Sequence, residues 1–389
     1  MAEIFVTAGE TSGDIYAARV VEELRLMIPG ITITGMGRSR LARQGQQQYI
    51  KAGQGEIGLS GGLRSIGQHL NRIKLLQQKA AETSPDAALL VDYSGFNMYL
   101  GRRLRKEGLP VVHYIPPTAW IWGYWRAKWL ARQDIRVAAI FPQEDEVYRR
   151  AGARSEFVGH PLLDEISQPR KQRLARENLS EYLKLAGRGE LNSGDRVLAL
   201  LPGSRDQEIE KLTRPLLEAA GKLSRDFSLR IIIPQDSERD ASLLADYADL
   251  FKLEVEVLAN RSREVLAASD LALVASGTAT LEAALLNCPQ IIIYQTGKLT
   301  ALLARLLVKT DYVGLPNIVA ERSIVPELMQ DDVKGDIIYK EARKLLEDPR
   351  MIRQQIEGYR EIRSRLGSPG AARRTAGLVL EEAGLEERA

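Results

Sequence analysis

The chain has 389 residues, of which 44% are hydrophobic and 27% are charged, and its formal net charge is +3. This length is enough for two domains, and the composition is that of an ordinary globular protein. So small a net charge does not indicate a nucleic-acid-binding protein, and a single cysteine excludes an intrachain disulfide. That residue, Cys288, stands between two strongly apolar segments, so we expect a buried structural thiol.

Targeting and metal signals are absent from the sequence. The first residues carry no basic region before the first apolar run, so we expect no signal peptide. No apolar run approaches the ~18–20 residues that a membrane-spanning helix needs. The histidines are widely spaced, and no segment has the spacing of metal ligands. We therefore expect a cytoplasmic protein that needs neither metal nor cofactor.

Apolar runs alternate with helical patterns along the chain, which predicts parallel sheets. In the first half, a helix is expected at 14–26, and strands are expected at 4–8, 31–34, 87–91, 111–115 and 137–141. A polar stretch broken by glycines covers 165–195. The second series of strands is expected at 197–201, 229–233, 255–258, 271–274 and 291–294. Charged helical patterns follow from 339 onward.

This order predicts an α/β protein with two doubly wound, Rossmann-like domains and a ligand cleft between them. Ligands of such sheets bind at the carboxyl ends of the strands. We expect a first domain over 1–165 and a second over 166–345. Helices over 346–389 are expected to pack back on the first domain.

The most informative segment is 276–282, which reads Ser-Gly-Thr-Ala-Thr-Leu-Glu between a buried strand and a helix. A helix N-terminus offers unpaired N–H groups and partial positive charge, which suits a phosphate. Gly277 allows close approach of the backbone, and Thr278 and Thr280 add hydroxyl donors. Glu282 lies one turn later and can bind the hydroxyls of a ribose. The segment predicts a nucleotide diphosphate site, although an ordinary helix N-cap explains it equally well.

Two other motifs of the second half point the same way. Residues 201–205 read Leu-Pro-Gly-Ser-Arg at a strand end, where Arg205 could hold a phosphate. An ion pair of Arg205 with Glu208 or Glu210 is the alternative. A loop-like segment ends at Asn317, whose amide can make hydrogen bonds on two sides.

The first half also carries polar residues after its strands. Residues 9–14 read Gly-Glu-Thr-Ser-Gly-Asp, which is neither a dinucleotide fingerprint nor a P-loop. A tight turn with Ser12 or Asp14 as helix cap explains most of this motif, but it gives Glu10 no role. Asp92 ends a buried strand, where it could act as a general base or cap a turn.

An aromatic cluster follows the strand end at 113–117. All four tryptophans lie within ten residues of each other, and they are Trp120, Trp122, Trp125 and Trp129. Arg126, Lys128 and Arg132 are interleaved with them. The cluster indicates aromatic surfaces for a sugar or an acyl chain, with core packing as the alternative. Such interleaving also suits single-stranded nucleic acid, but no basic groove accompanies it.

Together these motifs resemble the lipid-A-disaccharide synthases, which are inverting glycosyltransferases of the two-Rossmann-domain (GT-B) type. The resemblance covers nearly the whole chain. It rests on segments in family order: 9–14, Asp92 with Phe96-Asn97, 113–122, 157–162, 201–205, 276–282 and 315–317.

The resemblance implies a UDP-2,3-diacylglucosamine donor and a 2,3-diacylglucosamine 1-phosphate acceptor. The product would be a β-1,6-linked disaccharide phosphate, with UDP released and no metal required. Asp92 and Glu10 would be the catalytic residues. Donor-binding residues would be Gly203, Ser204, Arg205, Ser276, Gly277, Thr278, Ala279, Thr280, Glu282 and Asn317. Acceptor-binding residues would be Ser12, Gly13, Asp14, His113, Trp120 and Trp122.

The chain departs from the family pattern on the acceptor side. Gly95 stands where the family commonly has a second aspartate, and 58–67 lacks the usual Met-Gly and Glu-Val pairs. These departures bear on the lipid and not on the nucleotide. Another UDP-sugar enzyme stays open as an alternative, of the polyprenyl-linked sugar transferase or UDP-N-acetylglucosamine 2-epimerase type. A non-catalytic nucleotide-sugar-binding module is the other alternative.

An acylated substrate also implies a membrane surface, so we expect peripheral attachment to the inner face of the cytoplasmic membrane. The segment 63–79 has apolar residues near helical spacing with basic residues around them, which suits an interfacial helix. The Trp120–Trp129 segment could add aromatic anchors. Core packing of both segments is the alternative. No nucleic-acid partner is expected, and a homodimer is left open.

Overall fold

The computed structural model describes residues 2–51, 62–169, 171–235, 244, 251–297 and 310–385. The chain forms two compact units. The first contains Met1–Glu165 and Leu366–Ala389, and the second contains Ile166–Arg365. The chain thus returns to the first unit at Leu366, whereas the sequence pattern predicted this return at residue 346. The reason is that the long helix ending at Arg365 packs on its neighbours in the second unit.

The first unit is built on a parallel sheet of the order β3-β2-β1-β4-β5-β6-β7. Its strands are β1 (Glu3–Ala8), β2 (Thr32–Gly37), β3 (Gln47–Lys51), β4 (Ala87–Val91), β5 (Val111–Tyr114), β6 (Arg136–Ala139) and β7 (Ser155–Phe157). The central strands β4 and β5 are buried along their whole length, as expected for a parallel sheet with helices on both faces.

Helices cover this sheet and connect its strands. They are α1 (Thr11–Met27), α2 (Ser39–Arg43), α3 (Gly62–Thr83), α4 (Ser94–Lys106), α5 (Trp125–Arg132), α6 (Pro142–Arg150) and α7 (Leu162–Glu165). The helix from the chain's C-terminal part, Ala371–Ala383, packs on α1, β4 and β5. The Asp164 carboxylate accepts hydrogen bonds from the N–H groups of Gly370, Ala371 and Ala372 at the start of that helix.

The second unit has a parallel sheet of the order β10-β9-β8-β11-β12-β13. Its strands are β8 (Arg196–Leu201), β9 (Leu229–Gln235), β10 (Val255–Ala259), β11 (Leu271–Ala275), β12 (Gln290–Tyr294) and β13 (Glu327–Met329). Its described helices are α8 (Gln172–Leu185), α9 (Asp206–Asp226), α10 (Ser262–Ala268), α11 (Thr278–Leu285), α12 (Leu315–Ala320), α13 (Gly335–Glu347) and α14 (Pro349–Arg365). The helix that completes the first unit is α15 (Ala371–Ala383).

Both sheets reverse their winding between two central strands, β1 and β4 in the first unit and β8 and β11 in the second. Open α/β sheets bind ligands outside the carboxyl ends of the strands at this point. The α/β class and the strand series predicted from the sequence are confirmed, with strand ends shifted by a few residues. Within the described residues, no helix is both long and apolar enough to cross a bilayer.

Candidate active site

The motif after β1 and the motif after β4 meet at the switch point of the first unit. Ala8 pairs with Val91, so the residues that follow these two positions emerge side by side. A Cβ added to Gly9 would lie 2.2 Å from Cδ1 of Tyr93. Any side chain at position 9 would therefore require the Tyr93 ring to move. A Cβ at Gly13 would lie 3.4 Å from the Cβ of Asp92, so the first turn of α1 also lies against this carboxylate.

Asp92 sits in a sharply turned backbone at this point. It and Tyr93 both have left-handed conformations, with φ of 52° and 48°. The Ser12 hydroxyl and the backbone N–H of Tyr93 hydrogen-bond to the Asp92 carboxyl, and Glu10 brings a second negative charge near it. Burial, and next the charge of Glu10, raise the pKa of Asp92 to about 7, against the lowering effect of the two hydrogen bonds. A carboxyl with this pKa is suited to proton transfer at neutral pH.

Asn97 holds the turn that carries Asp92. Its Nδ2 donates to the carbonyl oxygens of Val91 (3.1 Å) and Asp92 (2.8 Å), and its Oδ1 accepts from the Thr7 hydroxyl (2.8 Å). Asn97 is fully buried. These bonds stabilise a conformation that non-glycine residues adopt only at a cost. The motif Phe96-Asn97 carried the resemblance, but its role in the turn was not foreseen.

His113 lies beneath the same turn. It is fully buried, and its Nε2 donates to the carbonyl oxygen of Asp92 at 3.3 Å. Burial lowers the pKa of His113 to about 4, so the ring is neutral at pH 7. The resemblance placed His113 on the acceptor side, and the structure shows its buried ring supporting the turn that carries Asp92.

The Asp14 side chain also makes hydrogen bonds within its own unit. Its side chain is buried, and its carboxylate accepts hydrogen bonds from the backbone N–H groups of Arg38 (2.6 Å) and Arg40 (2.8 Å). It thereby stabilises the N-terminus of α2. Neither Ser12 nor Asp14 caps α1, because Glu10 occupies the cap position without a side-chain cap bond. Of the residues assigned to the acceptor near β1, Ser12 is the one whose side chain reaches Asp92.

The tryptophans divide into packed and exposed rings. Trp120 packs on Phe141 with ring centroids 5.4 Å apart, whereas Trp122 is 42% exposed and Trp125 is 60% exposed. The Arg126 guanidinium lies 3.8 Å from the centroid of the Trp122 ring. The aromatic surface predicted from the sequence is therefore formed by Trp122 and Trp125.

In the second unit, the turn after β8 presents Arg205 at the surface. The ion pair considered as an alternative is present, since Arg205 Nη1 lies 3.2 Å from Glu208 Oε1. The other Glu208 oxygen accepts from the N–H of Ser204 at 3.1 Å. Because the Arg205 side chain is mostly exposed, this pair contributes little to stability. A phosphate can therefore replace Glu208 as its partner at small cost.

The turn after β11 leads into α11, with Gly277 as the N-cap. Gly277 and Thr278 are exposed, and a Cβ at Gly277 would have no atom within 4 Å. The Thr280 hydroxyl is instead buried and donates to the carbonyl oxygen of Gly277 at 2.7 Å. Thr280 therefore shapes the turn, and the donors on the accessible side are the first backbone N–H groups of α11 and the Thr278 hydroxyl.

Glu282 is oriented by an arginine that sequence analysis missed. Arg263, at the start of α10, donates from Nε (2.9 Å) and Nη2 (2.7 Å) to the Glu282 Oε1. Asn317, which the resemblance assigned to the donor, is buried, and its amide makes hydrogen bonds to residues 324–327 of its own unit. Neither contact has a local sequence signal, because each joins segments that only the folded sheet brings together.

Two α/β units, each built on a parallel sheet with a reversal of winding at its centre, have the architecture of the GT-B fold. The S. aureus MnaA–UDP co-structure has this fold, with a TM-score of 0.67, 13% identity and coverage of 100% of this chain and 98% of that one.

The sequence comparisons identify the family. The model of the lipid-A-disaccharide synthetase family matches residues 4–376, and the chain belongs to that family. The lipid-A-disaccharide synthase of Anaeromyxobacter dehalogenans (strain 2CP-C) is 39% identical over 381 residues, which are 97% of each chain. That of Myxococcus xanthus (strain DK1622) is 36% identical over 380 residues, again 97% of each chain.

The predicted activity is confirmed. The chain is a glycosyltransferase of lipid A disaccharide synthesis, and the family implies acylated glucosamine substrates. The alternatives, another UDP-sugar enzyme of the polyprenyl-linked sugar transferase or epimerase type and a non-catalytic nucleotide-sugar-binding module, are not favoured. Among the described residues, no group of three or more His, Cys, Asp or Glu side chains is arranged to hold a metal ion.

Proposed function

We propose that the chain transfers the diacylglucosaminyl group of UDP-2,3-diacylglucosamine to the 6-hydroxyl of 2,3-diacylglucosamine 1-phosphate. In one inverting displacement, the acceptor oxygen bonds to the anomeric carbon while the bond from that carbon to the diphosphate oxygen breaks. UDP leaves with the electron pair, and a base of the protein takes the hydroxyl proton. The first unit binds the acceptor and the second binds the donor.

The observation that carries this proposal is the environment of Asp92. With a pKa of about 7, its carboxyl is ionised in a substantial fraction of molecules at neutral pH yet is more basic than an ordinary aspartate. It therefore accepts a proton from a hydroxyl more readily than a solvent-exposed carboxylate does. Glu10 and Ser12 adjust this basicity in opposite directions. Asp92 is the proposed base, with Glu10 as the second catalytic residue.

On the donor side, negative charge grows on the diphosphate as the sugar–oxygen bond breaks. Arg205 and the N-terminus of α11 are the positive groups proposed to stabilise it, and their effect is largest when cleavage is advanced. Glu282, oriented by Arg263, is proposed to bind the ribose. These groups supply the leaving-group stabilisation that a divalent cation supplies in other transferases.

The first unit is also proposed to dock on the membrane that carries the lipid substrates. Trp122, Trp125 and the 59%-exposed Tyr99 offer aromatic surface, with Lys128 and Arg132 exposed on α5. Aromatic rings beside basic side chains suit the headgroup region of an anionic membrane.

The helix α3 supports docking less than its sequence pattern predicts. Ile73 and Leu76 are buried in the core, so that part of the apolar stripe faces inward. Leu70 and Leu75 are exposed, while the side chains at positions 63 and 66 lie outside the described residues. The aromatic surface formed by Trp122, Trp125 and Tyr99 is therefore the stronger candidate.

The decisive experiment combines mass spectrometry of the lipid product with a UDP-release assay on Asp92→Asn. We expect the disaccharide phosphate from the wild type and a turnover about 10²–10⁴-fold lower from the variant, the usual contribution of a general base. Asp134→Asn is the matched control, because Asp134 is exposed and shares the φ of 52°. Near-normal turnover of Asp92→Asn in a protein that binds UDP normally would assign the base to another group.

A further inference from the structure

A carboxylate of β13 lies at the centre of the hydrogen bonds that form the loop before α12. Glu327 Oε2 accepts from the backbone N–H of Val313 at 2.8 Å. Its Oε1 accepts from the N–H of Gly314 at 3.0 Å and from Nδ2 of Asn317 at 2.8 Å. Three donors thus converge on one carboxylate that is itself held in the sheet by pairing with Ile292.

The packing around this carboxylate leaves the loop little freedom. A Cβ at Gly314 would lie 2.2 Å from Cδ1 of Ile292 and 3.1 Å from Oε1 of Glu327. Asn317 is fixed from both sides, because its Oδ1 accepts from the N–H groups of Ile324 (2.7 Å) and Val325 (2.9 Å). The position of the Val313 peptide therefore depends on Glu327.

The Val313 peptide in turn contacts the anion-binding turn. The Ser276 hydroxyl donates to the Val313 carbonyl oxygen at 2.7 Å, and the Ser276 N–H donates to Ile293 at 3.0 Å. Ser276 directly precedes Gly277, the N-cap of α11. A chain of contacts thus runs from the Glu327 carboxylate through one residue of the loop to the turn proposed to bind the diphosphate.

We propose that Glu327 is a positioning residue for the nucleotide donor. It acts through Val313 and Ser276 by fixing the turn at the N-terminus of α11, and it does not contact the donor itself. The inference rests on the proposed donor site in the second unit. A glutamine at this position cannot accept three hydrogen bonds in the same geometry, since its amide nitrogen would face a donor.

The test is UDP binding by calorimetry, together with the KM values for the donor and the acceptor. For Glu327→Gln we expect UDP affinity and donor KM to worsen by about 10- to 100-fold, the range for lost hydrogen bonds to a charged group. The acceptor KM should stay as in the wild type. Glu321→Gln is the matched control, because Glu321 is exposed in the same segment and forms a surface ion pair with Arg365.

A second variant tests the same chain of contacts from its other end. Ser276→Ala leaves the Glu327 carboxylate and its three donors intact, and it should also weaken UDP binding while leaving the acceptor KM unchanged. In the double variant the two losses should not add, because both act through the Val313 peptide. This variant answers the question even if Glu327→Gln does not fold.

The outcomes separate the two proposals. Unchanged UDP affinity in folded Glu327→Gln, equal rises in both KM values, or additive losses in the double variant would each overturn the role of Glu327 alone. The donor site itself is tested by Arg205→Ala and Glu282→Ala. If both variants bind UDP with wild-type affinity while the wild type turns over, the proposed donor site is wrong, and this inference is wrong with it.

Discussion

The two neighbours of Asp92 should move the pH dependence of turnover in opposite directions. An acid whose pKa is raised to about 7 becomes a base only as the pH rises through that value, so wild-type turnover should increase between pH 6 and pH 8. Ser12 stabilises the ionised form and Glu10 destabilises it. Ser12→Ala should therefore require a higher pH for activity, and Glu10→Gln a lower one.

The size of the Ser12 effect follows from its hydrogen bond. A bond to a charged group contributes about 1.5–3 kcal/mol, and the half-buried position of Asp92 favours the low end. About 1.4 kcal/mol corresponds to a tenfold change in ionisation, so the ionised fraction at pH 6 should fall from about a tenth to about a hundredth. Ser12→Ala should then lose about tenfold in turnover at pH 6 and little at pH 9.

Glu10→Gln should lower the pKa of Asp92 by only part of its rise, because burial of Asp92 is the largest cause of that rise and remains in the variant. The assay is UDP release at saturating substrates from pH 5.5 to pH 9, expressed as the ratio of rates at pH 6 and pH 9. This ratio removes any pH-independent loss from a second role of Glu10, and ionisation of the substrates is common to all variants. Profiles that shift in the same direction, or do not shift, would refute the assignment of Asp92 as the base.

Three further predictions concern the donor, the metal and the membrane. Glu282→Ala should weaken UDP binding by about 1–3 kcal/mol, because hydrogen bonds to a charged group are lost, and Arg263→Ala should weaken it by less. Calorimetry that finds wild-type UDP affinity in both folded variants would contradict the assignment of Glu282 to the ribose. Activity should persist in excess chelator, and a loss that Mg²⁺ or Mn²⁺ restores would show that Arg205 and α11 do not suffice. Vesicle co-sedimentation should rise with anionic lipid, fall with salt and decrease in Trp122→Ala/Trp125→Ala, whereas Leu185→Ala, at an exposed apolar residue of α8 in the second unit, serves as control. A wild type that does not bind anionic vesicles at low salt would exclude docking.

Sequence patterns predicted the central strands and the motifs that follow them, because fully buried strands are continuous apolar runs. The edge strands β3, β7 and β13 were missed. They are short, and polar residues such as Gln47 and Glu156 give them no apolar pattern. The doubly wound class could still be anticipated, since it follows from the alternation of strands and helices, but the order of the strands was not predicted.

Individual side chains were harder to assign than motifs. Asp14, Thr280 and Asn317 all lie in segments that the resemblance assigned to ligands, and their side chains make hydrogen bonds to groups of their own unit. A polar residue at a strand end can serve a ligand or build the turn, and the sequence is the same in both cases. The distinction depends on partners such as Arg38 and Ile324, which are distant or unremarkable in sequence.

The packing of α15 also bears on how the chain is synthesised. This last described helix covers α1, β4 and β5, and Asp164 binds the backbone at its start. The ribosome therefore releases every residue of the second unit before the helix that covers the strand leading to Asp92 emerges. The first unit, although its sequence begins the chain, is therefore completed after the second, and its β4–β5 surface lacks the packing of α15 in the nascent protein until that helix is synthesised.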